Sequence, residues 1–339
     1  MDGCDKSNFP AIRSDGMGAE RNPANFRRSD DAVHPDGAED YYEWWYFDAS
    51  FENGYHIVVT FHYRNIFLRP MMPTIQFMIY RPDGSQVVRY AACSEDEIHV
   101  GREFCDVRMG GSWVRDTGES YEIFMAIKDS SVRLVFKPMV PGWKPGTGFL
   151  YHNEKEGKIS GWVVPVPHGE VEGELRIGDE IIPVKGTGYH DHNWGNYRFH
   201  ETFHSWYWGR IHNEKYTVVY GWVIPQDKNA PVVSPLLIAR NGEIVLSTDL
   251  LQARLEDPVE DDRTKKEYAG SLTLACETEG VSFLLDVKTK RVIEFMRLPR
   301  AMPWDQFYYR FLADYRMTIG IDGRTDVAAG EFLHEMMIL

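Results

Sequence analysis

The densest run of polar side chains in this sequence is residues 186–195, which read Gly-Thr-Gly-Tyr-His-Asp-His-Asn-Trp-Gly. On an extended strand successive side chains point to opposite faces, so His190 and His192 share one face. Asp191 and Asn193 share the other. Histidine titrates near neutral pH, and a partly desolvated aspartic acid can hold its proton. The run therefore predicts proton chemistry in which Asp191 and His190 handle the proton. His192 and Asn193 would orient them.

The same run has two other interpretations. Buried Asp, His and Asn side chains often do no more than hydrogen-bond segments together, so a structural role stays open beside the catalytic one. A His-x-His pair can also place two nitrogens on one metal ion, but a third ligand is needed. The spacing of the nearby His200, Glu201 and His204 matches no ligand pattern. We therefore predict no metal and no cofactor.

Aromatic residues are concentrated in two further segments, residues 41–48 and residues 206–222. Their rings supply apolar area, π faces that stabilise a developing positive charge, and hydroxyl or indole donors. A barrel core would use the same residues. Glu43 is harder to explain by packing, because an unpaired buried carboxylate is costly, and it is a further catalytic candidate. The predicted pocket residues are Trp44, Trp45, Tyr46, Trp194, Tyr207, Trp208, Tyr220 and Trp222.

The elements that must hold these residues are predicted to be short antiparallel strands. Residues 55–63 and 121–127 alternate apolar and polar side chains with period two, and Asn-Gly at 241–242 marks a tight hairpin turn. Helical periodicity is confined to a short stretch near residues 250–254. The pattern predicts an all-β fold, a barrel or a sandwich. Three polar residues on the outer face of the 55–63 strand are expected to be exposed: His56, Thr60 and His62.

An internal echo predicts two domains. Trp45 and Trp206 lie 161 positions apart, and so do Tyr55 and Tyr216. We interpret this as a duplicated unit of about 150 residues, although aromatic residues could also recur by chance in a Trp-rich chain. The first residues are polar and lack apolar periodicity. The predicted organisation is a polar tail at 1–38, one domain at 39–196 and a second at 197–339.

Composition limits the possible partners. The 339 residues include 51 acidic and 37 basic side chains, giving a net charge of −14 that repels phosphate backbones and anionic membrane surfaces. Nucleic acid is therefore not expected as a partner. No stretch approaches the roughly 20 apolar residues of a membrane span, and the polar N-terminus lacks a signal-peptide core, so we expect a cytoplasmic protein. The four cysteines show no Cys-x-x-Cys spacing and are expected to be free thiols.

Two motifs carry a family resemblance. Residues 43–47, Glu-Trp-Trp-Tyr-Phe, together with residues 188–195, resemble the carotenoid 1,2-hydratase (hydroxyneurosporene synthase) and AttH-like lipocalin family, and the likeness extends from about residue 40 to the end. It implies two tandem lipocalin-like antiparallel β-barrel domains with the central motif near their interface. Members include isoprenoid hydratases, cyclases and Diels-Alder-type pericyclases. The family's histidine motif maps onto His190 and His192.

The resemblance also implies a mechanism. In the hydratases a terminal alkene is protonated and water captures the cation, with no cofactor. The family pattern places an acidic residue close after a tyrosine on the following strand, where this sequence reads Tyr220-Gly221-Trp222. In a hydratase Asp191 or Glu43 would then supply the proton instead. The departure fits a cyclase or pericyclase equally well, in which a restricted conformation and hydrogen bonds that strengthen in the transition state would drive the reaction.

The function predicted from the sequence is a cofactor-independent hydratase or cyclase of secondary metabolism. Its substrate would be a hydrophobic isoprenoid, polyene or polyketide-derived molecule, and its chemistry would be acid-assisted in an aromatic pocket. The alternative is a non-catalytic lipocalin-like carrier of an apolar small molecule. A structural protein without a ligand is a third interpretation.

Overall fold

The computed structural model describes residues 19–20, 25–68, 70–298 and 306–339. These residues form antiparallel strands and three short 3₁₀ helices, Arg28–Asp31, Glu95–Glu97 and Phe199–Glu201. The predicted all-β class is confirmed. The chain divides into a first unit, Pro23–Arg198, and a second unit that contains Phe199–Leu339 together with strand β1, Ala19–Glu20.

The first unit is built on one antiparallel sheet. Its strand order is β5-β4-β3-β2-β13-β12-β10-β9-β8-β7-β6, with β11 paired to β12. The strands are β2 Tyr42–Phe51, β3 His56–Arg64, β4 Thr74–Tyr80, β5 Gln86–Ala92, β6 Ile98–Val100, β7 Asp106–Met109, β8 Ser112–Asp116, β9 Tyr121–Ile127, β10 Ser130–Pro138, β11 Phe149–Asn153, β12 Lys158–Ile177 and β13 Glu180–Gly195.

The inward-facing residues of these strands meet in a single hydrophobic core, so the sheet wraps around it. The alternation seen in the sequence is the reason, since every second side chain of a strand points to the same face. Phe47, Val59, Phe77 and Phe136 are all fully buried in this core. Strand β13 pairs with β2 along its last ten residues, from Gly186 opposite Phe51 to Gly195 opposite Tyr42. This register sets the geometry of the candidate site.

Two predictions about local structure are wrong. Thr60 and His62 are 3% and 5% exposed, not solvated, and the rings of Trp44 and Phe67 lie 6.0 and 6.4 Å from the ring of His62. Only His56 is exposed as expected. The short helix expected near residues 250–254 is also not formed. Those residues enter a strand, Gln252–Glu260, whose backbone pairs along its length with a neighbouring strand.

The second unit is a second antiparallel sheet around its own core. Its strand order is β1-β17-β16-β15-β14-β22-β21-β20-β19-β18. The strands are β14 Phe203–His212, β15 Tyr216–Pro225, β16 Leu236–Arg240, β17 Glu243–Thr248, β18 Gln252–Glu260, β19 Glu267–Thr278, β20 Val281–Arg297, β21 Phe307–Ile321 and β22 Arg324–Ile338.

Strands β2 to β5 and strands β14 to β17 are both four-stranded meanders, at the positions of the sequence echo. On the second strand of each meander, positions 161 residues apart face the core of their own unit in the same way. Val59 and Tyr220 are such a pair, and both are core residues. On the first strand of each meander the core-facing position is shifted by one residue relative to the echo. Trp45 faces the first core, whereas Tyr207, not Trp206, faces the second.

Among the described residues no helix is long and apolar enough to cross a membrane. Cys93, Cys105 and Cys276 are free thiols. Cys4 lies outside the described residues.

Candidate functional site

A fully buried network of imidazoles and carboxylates lies inside the first unit. His190 and His192 project from β13, and Glu43 projects from the neighbouring β2. The fourth member, Asp31, ends the 3₁₀ helix Arg28–Asp31. All four residues are 0% exposed. Charged side chains are almost never buried to this extent unless they are paired, so their partners decide what the network does.

Asp31 is the centre of the first half of this network. Its Oδ2 lies 3.1 Å from Nε2 of His190 and accepts a hydrogen bond of 2.9 Å from the Tyr121 hydroxyl. Its Oδ1 lies 3.1 Å from Nδ1 of His192, an ion-pair distance, although the two atoms are not oriented for a hydrogen bond. The indole of Trp45 donates to the Asp31 carbonyl at 3.1 Å. Asp31 therefore holds both histidines of the central motif.

Glu43 is the centre of the second half. Its Oε1 accepts hydrogen bonds from Nε2 of His192 at 2.8 Å and from the backbone N–H of His34 at 2.9 Å. The Nδ1 of His34 lies 3.2 Å from the same oxygen, and the Tyr41 hydroxyl donates to Oε2. The carboxylate that packing alone could not explain is thus fully hydrogen-bonded.

These contacts determine the ionisation of the network. Burial by itself raises the pKa of Asp31 and of Glu43, but the contacts with the histidines outweigh burial and lower both pKa values. Burial would lower the pKa of His192, but its contacts with Asp31 and Glu43 raise that pKa to about 9. Burial also lowers the pKa of His34, against the opposing effect of Glu43. At neutral pH we infer two carboxylates, a charged His192 and a neutral His34.

His190 is held on both sides of its ring. Its Nδ1 lies 2.9 Å from the carbonyl oxygen of Tyr46, which can only accept, so Nδ1 carries a hydrogen. Its Nε2 lies 3.1 Å from Oδ2 of Asp31. The backbone of β2 and the Asp31 carboxyl group together therefore fix the position of this imidazole.

Aromatic rings fix the orientation of the imidazoles. His192 stacks on Trp45 with ring centroids 4.4 Å apart, and His190 stacks on Phe47 at 3.8 Å. His34 lies parallel to Trp194, with an interplanar angle of 2° and a centroid separation of 3.7 Å. The Trp194 ring lies over Gly161, where a Cβ atom would come within 2.2 Å of it. A glycine on the facing strand is therefore what lets Trp194 cover His34.

The network should make the stability of the protein depend on pH in the alkaline range. The His192 pKa is higher in the folded chain, about 9, than its ordinary 6.5. Its contribution is therefore complete below pH 6.5 and is lost as the pH rises through about 9. We expect the free energy of unfolding to fall by about 2 kcal/mol between about pH 7 and pH 9, as measured by urea denaturation.

A matched variant isolates this effect. Two further buried histidines, His62 and His334, have pKa values lowered to about 3 by burial, so above pH 7 they are neutral in both the folded and the unfolded chain. The His192→Gln variant should show a clearly smaller decrease in the free energy of unfolding over the same range. An equal slope in the variant and the wild type would mean that His192 is not the group responsible.

Two sets of side chains could geometrically hold a metal ion among the residues that the structure describes. They are Asp31 with Cys105 and His190, and His34 with Glu43 and His192, and the potential ligand atoms within each set lie within 4.8 Å of one another. In the present arrangement the carboxylate oxygens of both sets accept N–H and O–H donors. The geometry is that of a hydrogen-bond network.

Asp191 lies on the opposite face of β13. Its Oδ2 accepts hydrogen bonds from the Tyr189 hydroxyl at 3.0 Å and from the Trp162 indole at 3.2 Å, and its Oδ1 accepts from the Asn193 amide at 2.9 Å. The β2 residue opposite Asp191 is Tyr46, which is half-buried. The structure thus brings Asp191 and Asn193 together but separates both from His190 and His192, which point into the barrel.

The structure places Glu43 and the predicted pocket residues in four different environments. Glu43 belongs to the buried network, Trp45 and Trp194 border it, and Trp44 and Tyr46 lie on the Asp191 face. Tyr207, Tyr220 and Trp222 belong to the core of the second unit. Trp208 is half-buried on the other face of β14.

The sequence patterns do not identify three residues of the network as site residues: Asp31, His34 and Tyr41. The first two fall in the stretch 1–38 that was expected to be a polar tail, and no local pattern pairs them with a motif about 160 positions away. Only Tyr41 could have been inferred from the sequence, because it lies two positions before the candidate Glu43 and residues two apart in an extended segment share a face.

Comparison with known proteins agrees with this fold. A family model described as Diels-Alderase-like matches residues 38–294. A protein named hydroxyneurosporene dehydrogenase from Chlorobaculum tepidum is 26% identical over 342 aligned positions, which cover 86% of this chain and 82% of that protein.

Two solved structures share the fold. A protein assigned as AttH from Nitrosomonas europaea has a TM-score of 0.64 at 18% identity, covering 96% of this chain and 98% of the other. Kievitone hydratase from Nectria haematococca has a TM-score of 0.55 at 13% identity, covering 88% of each chain. The resemblance to AttH-like proteins and the lipocalin-like fold class are both confirmed. Because the family model spans most of its length, the chain belongs to the Diels-Alderase-like family.

Proposed function

We propose that this protein is a cofactor-independent enzyme that hydrates or cyclises a hydrophobic isoprenoid, polyene or polyketide-derived substrate on the Asp191 face of the first unit. The observation that carries the proposal is the setting of Asp191, a residue that is 9% exposed and whose carboxyl group is held by three donors between aromatic side chains. The names of the relatives support it, since they include a hydratase and the family is called Diels-Alderase-like.

Asp191 would supply the proton. An alkene is a very weak base, so its protonation needs an acid whose conjugate base is well stabilised. The hydrogen bonds from Tyr189, Trp162 and Asn193 stabilise the carboxylate that remains after Asp191 has given its proton to one alkene carbon. Half-buried Trp44 and Tyr46 lie on the same face, where their π systems would stabilise the cation.

The two reactions differ in how the cation is consumed. In hydration, water adds to the cationic carbon and its surplus proton returns to the Asp191 carboxylate, so the net change is the addition of one water. In cyclisation, a second double bond of the substrate attacks the cation, and loss of a proton to Asp191 gives an isomer. Either route restores the protonated Asp191 at the end of the cycle.

The buried network would act as a structural support for this site. All its charged members are 0% exposed, and Asp31 and Glu43 already accept hydrogen bonds from neighbouring donors, so a substrate could reach them only by breaking those bonds. It fixes β13 to β2 and to the segment that carries Asp31 and His34. In this way it would hold Asp191 in place from the other side of the strand.

A ligand screen followed by product analysis tests the proposal. The purified protein is heated with polyenes, isoprenoid alcohols and linear polyketide mimics, because a compound that binds the native state must raise the melting temperature. Stabilising compounds are then incubated with the protein and analysed by mass spectrometry. We expect at least one to gain the mass of one water or to become an isomer of equal mass. Compounds that bind tightly but are all recovered unchanged would contradict catalysis and favour a carrier.

A further inference from the structure

Two polar side chains in the core of the second unit have no hydrogen-bond partner among the residues that the structure describes. They are His334, at both ring nitrogens, and Tyr220, at its hydroxyl. Both residues are 0% exposed. A buried donor or acceptor left unpaired destabilises the folded state, and few such groups occur in native proteins. Two of them in one core call for a physical explanation.

A single glycine lies between the two residues on the sheet. Gly209 on β14 lies opposite His334 on β22 on one side and opposite Tyr220 on β15 on the other. A Cβ atom on Gly209 would come within 2.5 Å of the Tyr220 hydroxyl oxygen, so the end of the Tyr220 side chain lies directly above this glycine. Directly opposed residues of antiparallel strands share a face and are about 5 Å apart, so Tyr220 and His334 lie on the same face of the sheet with Gly209 between them.

The surroundings of His334 are aromatic and uncharged. The His334 ring lies 4.9 Å from the ring of Phe311, 5.5 Å from Phe332 and 6.4 Å from Tyr207. Burial lowers the pKa of His334 to about 3, so the imidazole is neutral at physiological pH and offers one N–H donor and one nitrogen acceptor. Among the described residues that contact His334, a charged ligand would find no opposite charge.

We propose that the interior of the second unit is a second binding site, which takes an uncharged apolar molecule whose single hydroxyl or carbonyl group bonds to His334 and Tyr220. The aromatic rings would contact the apolar body of the molecule, and Gly209 leaves room for the end of the Tyr220 side chain. This site is separate from the Asp191 face and does not depend on the chemistry proposed there.

Two tyrosine variants test whether the Tyr220 hydroxyl lacks a hydrogen-bond partner in the free protein. Tyr207 lies in the same core, but its oxygen accepts a hydrogen bond of 2.9 Å from the backbone N–H of Ala269. Tyr207→Phe should therefore lower the melting temperature of the free protein by about 2–4 °C. Tyr220→Phe removes an unpaired hydroxyl and should leave the melting temperature unchanged or raise it. A decrease as large as that of Tyr207→Phe would overturn the proposal, because the hydroxyl would then be satisfied without a ligand.

Oxygenated probes test the binding itself. We would use β-ionone, geraniol and decanal, each beside a hydrocarbon of matched shape without the oxygen. At least one oxygenated probe should raise the melting temperature of the wild type more than its hydrocarbon does. Tyr220→Phe and His334→Phe should each abolish that difference, whereas Asp191→Asn should retain it. If no oxygenated probe exceeds its hydrocarbon, or if the difference survives in both core variants, the site is not as proposed.

Discussion

Replacing Asp31 by asparagine is expected to lower the free energy of unfolding by about 3–5 kcal/mol. The side chain is completely buried, and it faces His190 and His192 at 3.1 Å each. An amide of the same shape removes the negative charge and leaves buried positive charge without its counterion. Removal of one partner from a buried ion pair lowers the free energy of unfolding by far more than the intact pair contributes to it. A large effect is therefore expected from this small change.

The matched control for this variant is Asp129→Asn. The Asp129 carboxylate also pairs with a cation, Arg89 at 2.8 Å, but its side chain is 63% exposed. Solvent screens exposed pairs so that they contribute little to stability, and this variant should therefore unfold at nearly the wild-type urea concentration. Equal losses in the two variants would show that Asp31 is not the centre of a charged buried network.

Replacing Asp191 by asparagine is expected to lower the turnover number about 100-fold or more. General acid catalysis commonly contributes a factor of 10² to 10⁴, and an amide cannot supply the proton. The dissociation constant of the substrate should change by less than about threefold, because the aromatic side chains that contact the apolar body remain. The measurement pairs the rate of product formation with a binding titration, on a compound identified by the ligand screen.

Asp48→Asn provides the control for the Asp191 variant. Asp48 is a second carboxylate on the same face, opposite Tyr189 in the β2–β13 ladder, and it accepts a hydrogen bond of 3.1 Å from the Tyr46 hydroxyl. This variant should retain turnover within about threefold of the wild type. Turnover retained by Asp191→Asn and lost in Asp48→Asn would assign the acid to Asp48 instead.

Much of the fold could be predicted from the sequence because its signals are local. The period-two alternation at residues 55–63 and the Asn-Gly turn at 241–242 correspond to strand β3 and to the β16–β17 hairpin. The same alternation separates Asp191 from His190 and His192. The prediction that Thr60 and His62 are exposed was wrong, because the packing of Trp44 and Phe67 against that face is a tertiary contact without a local signal.

The partners of the central motif could not be predicted for the same reason. Asp31 and His34 lie in a polar stretch without periodicity, and only the folded chain brings them to residues about 160 positions away. The prediction that Asp191 and His190 handle the proton together rested on their adjacency in the sequence. On a strand, however, adjacent residues face opposite ways, so the spatial partners of Asp191 are Tyr189, Trp162 and Asn193.

A crystal structure of the protein with a substrate or product found in the ligand screen tests the proposed location of the chemistry most directly. We expect the reacting carbon of the ligand to lie within about 4 Å of an Asp191 carboxyl oxygen, against Tyr46, with the contacts of Asp31 to both histidines unchanged. Contact distances of this kind are those of van der Waals packing. A ligand bound inside the first barrel, with its reacting carbon against His190 or His192, would contradict the proposal and make the buried network the catalytic site.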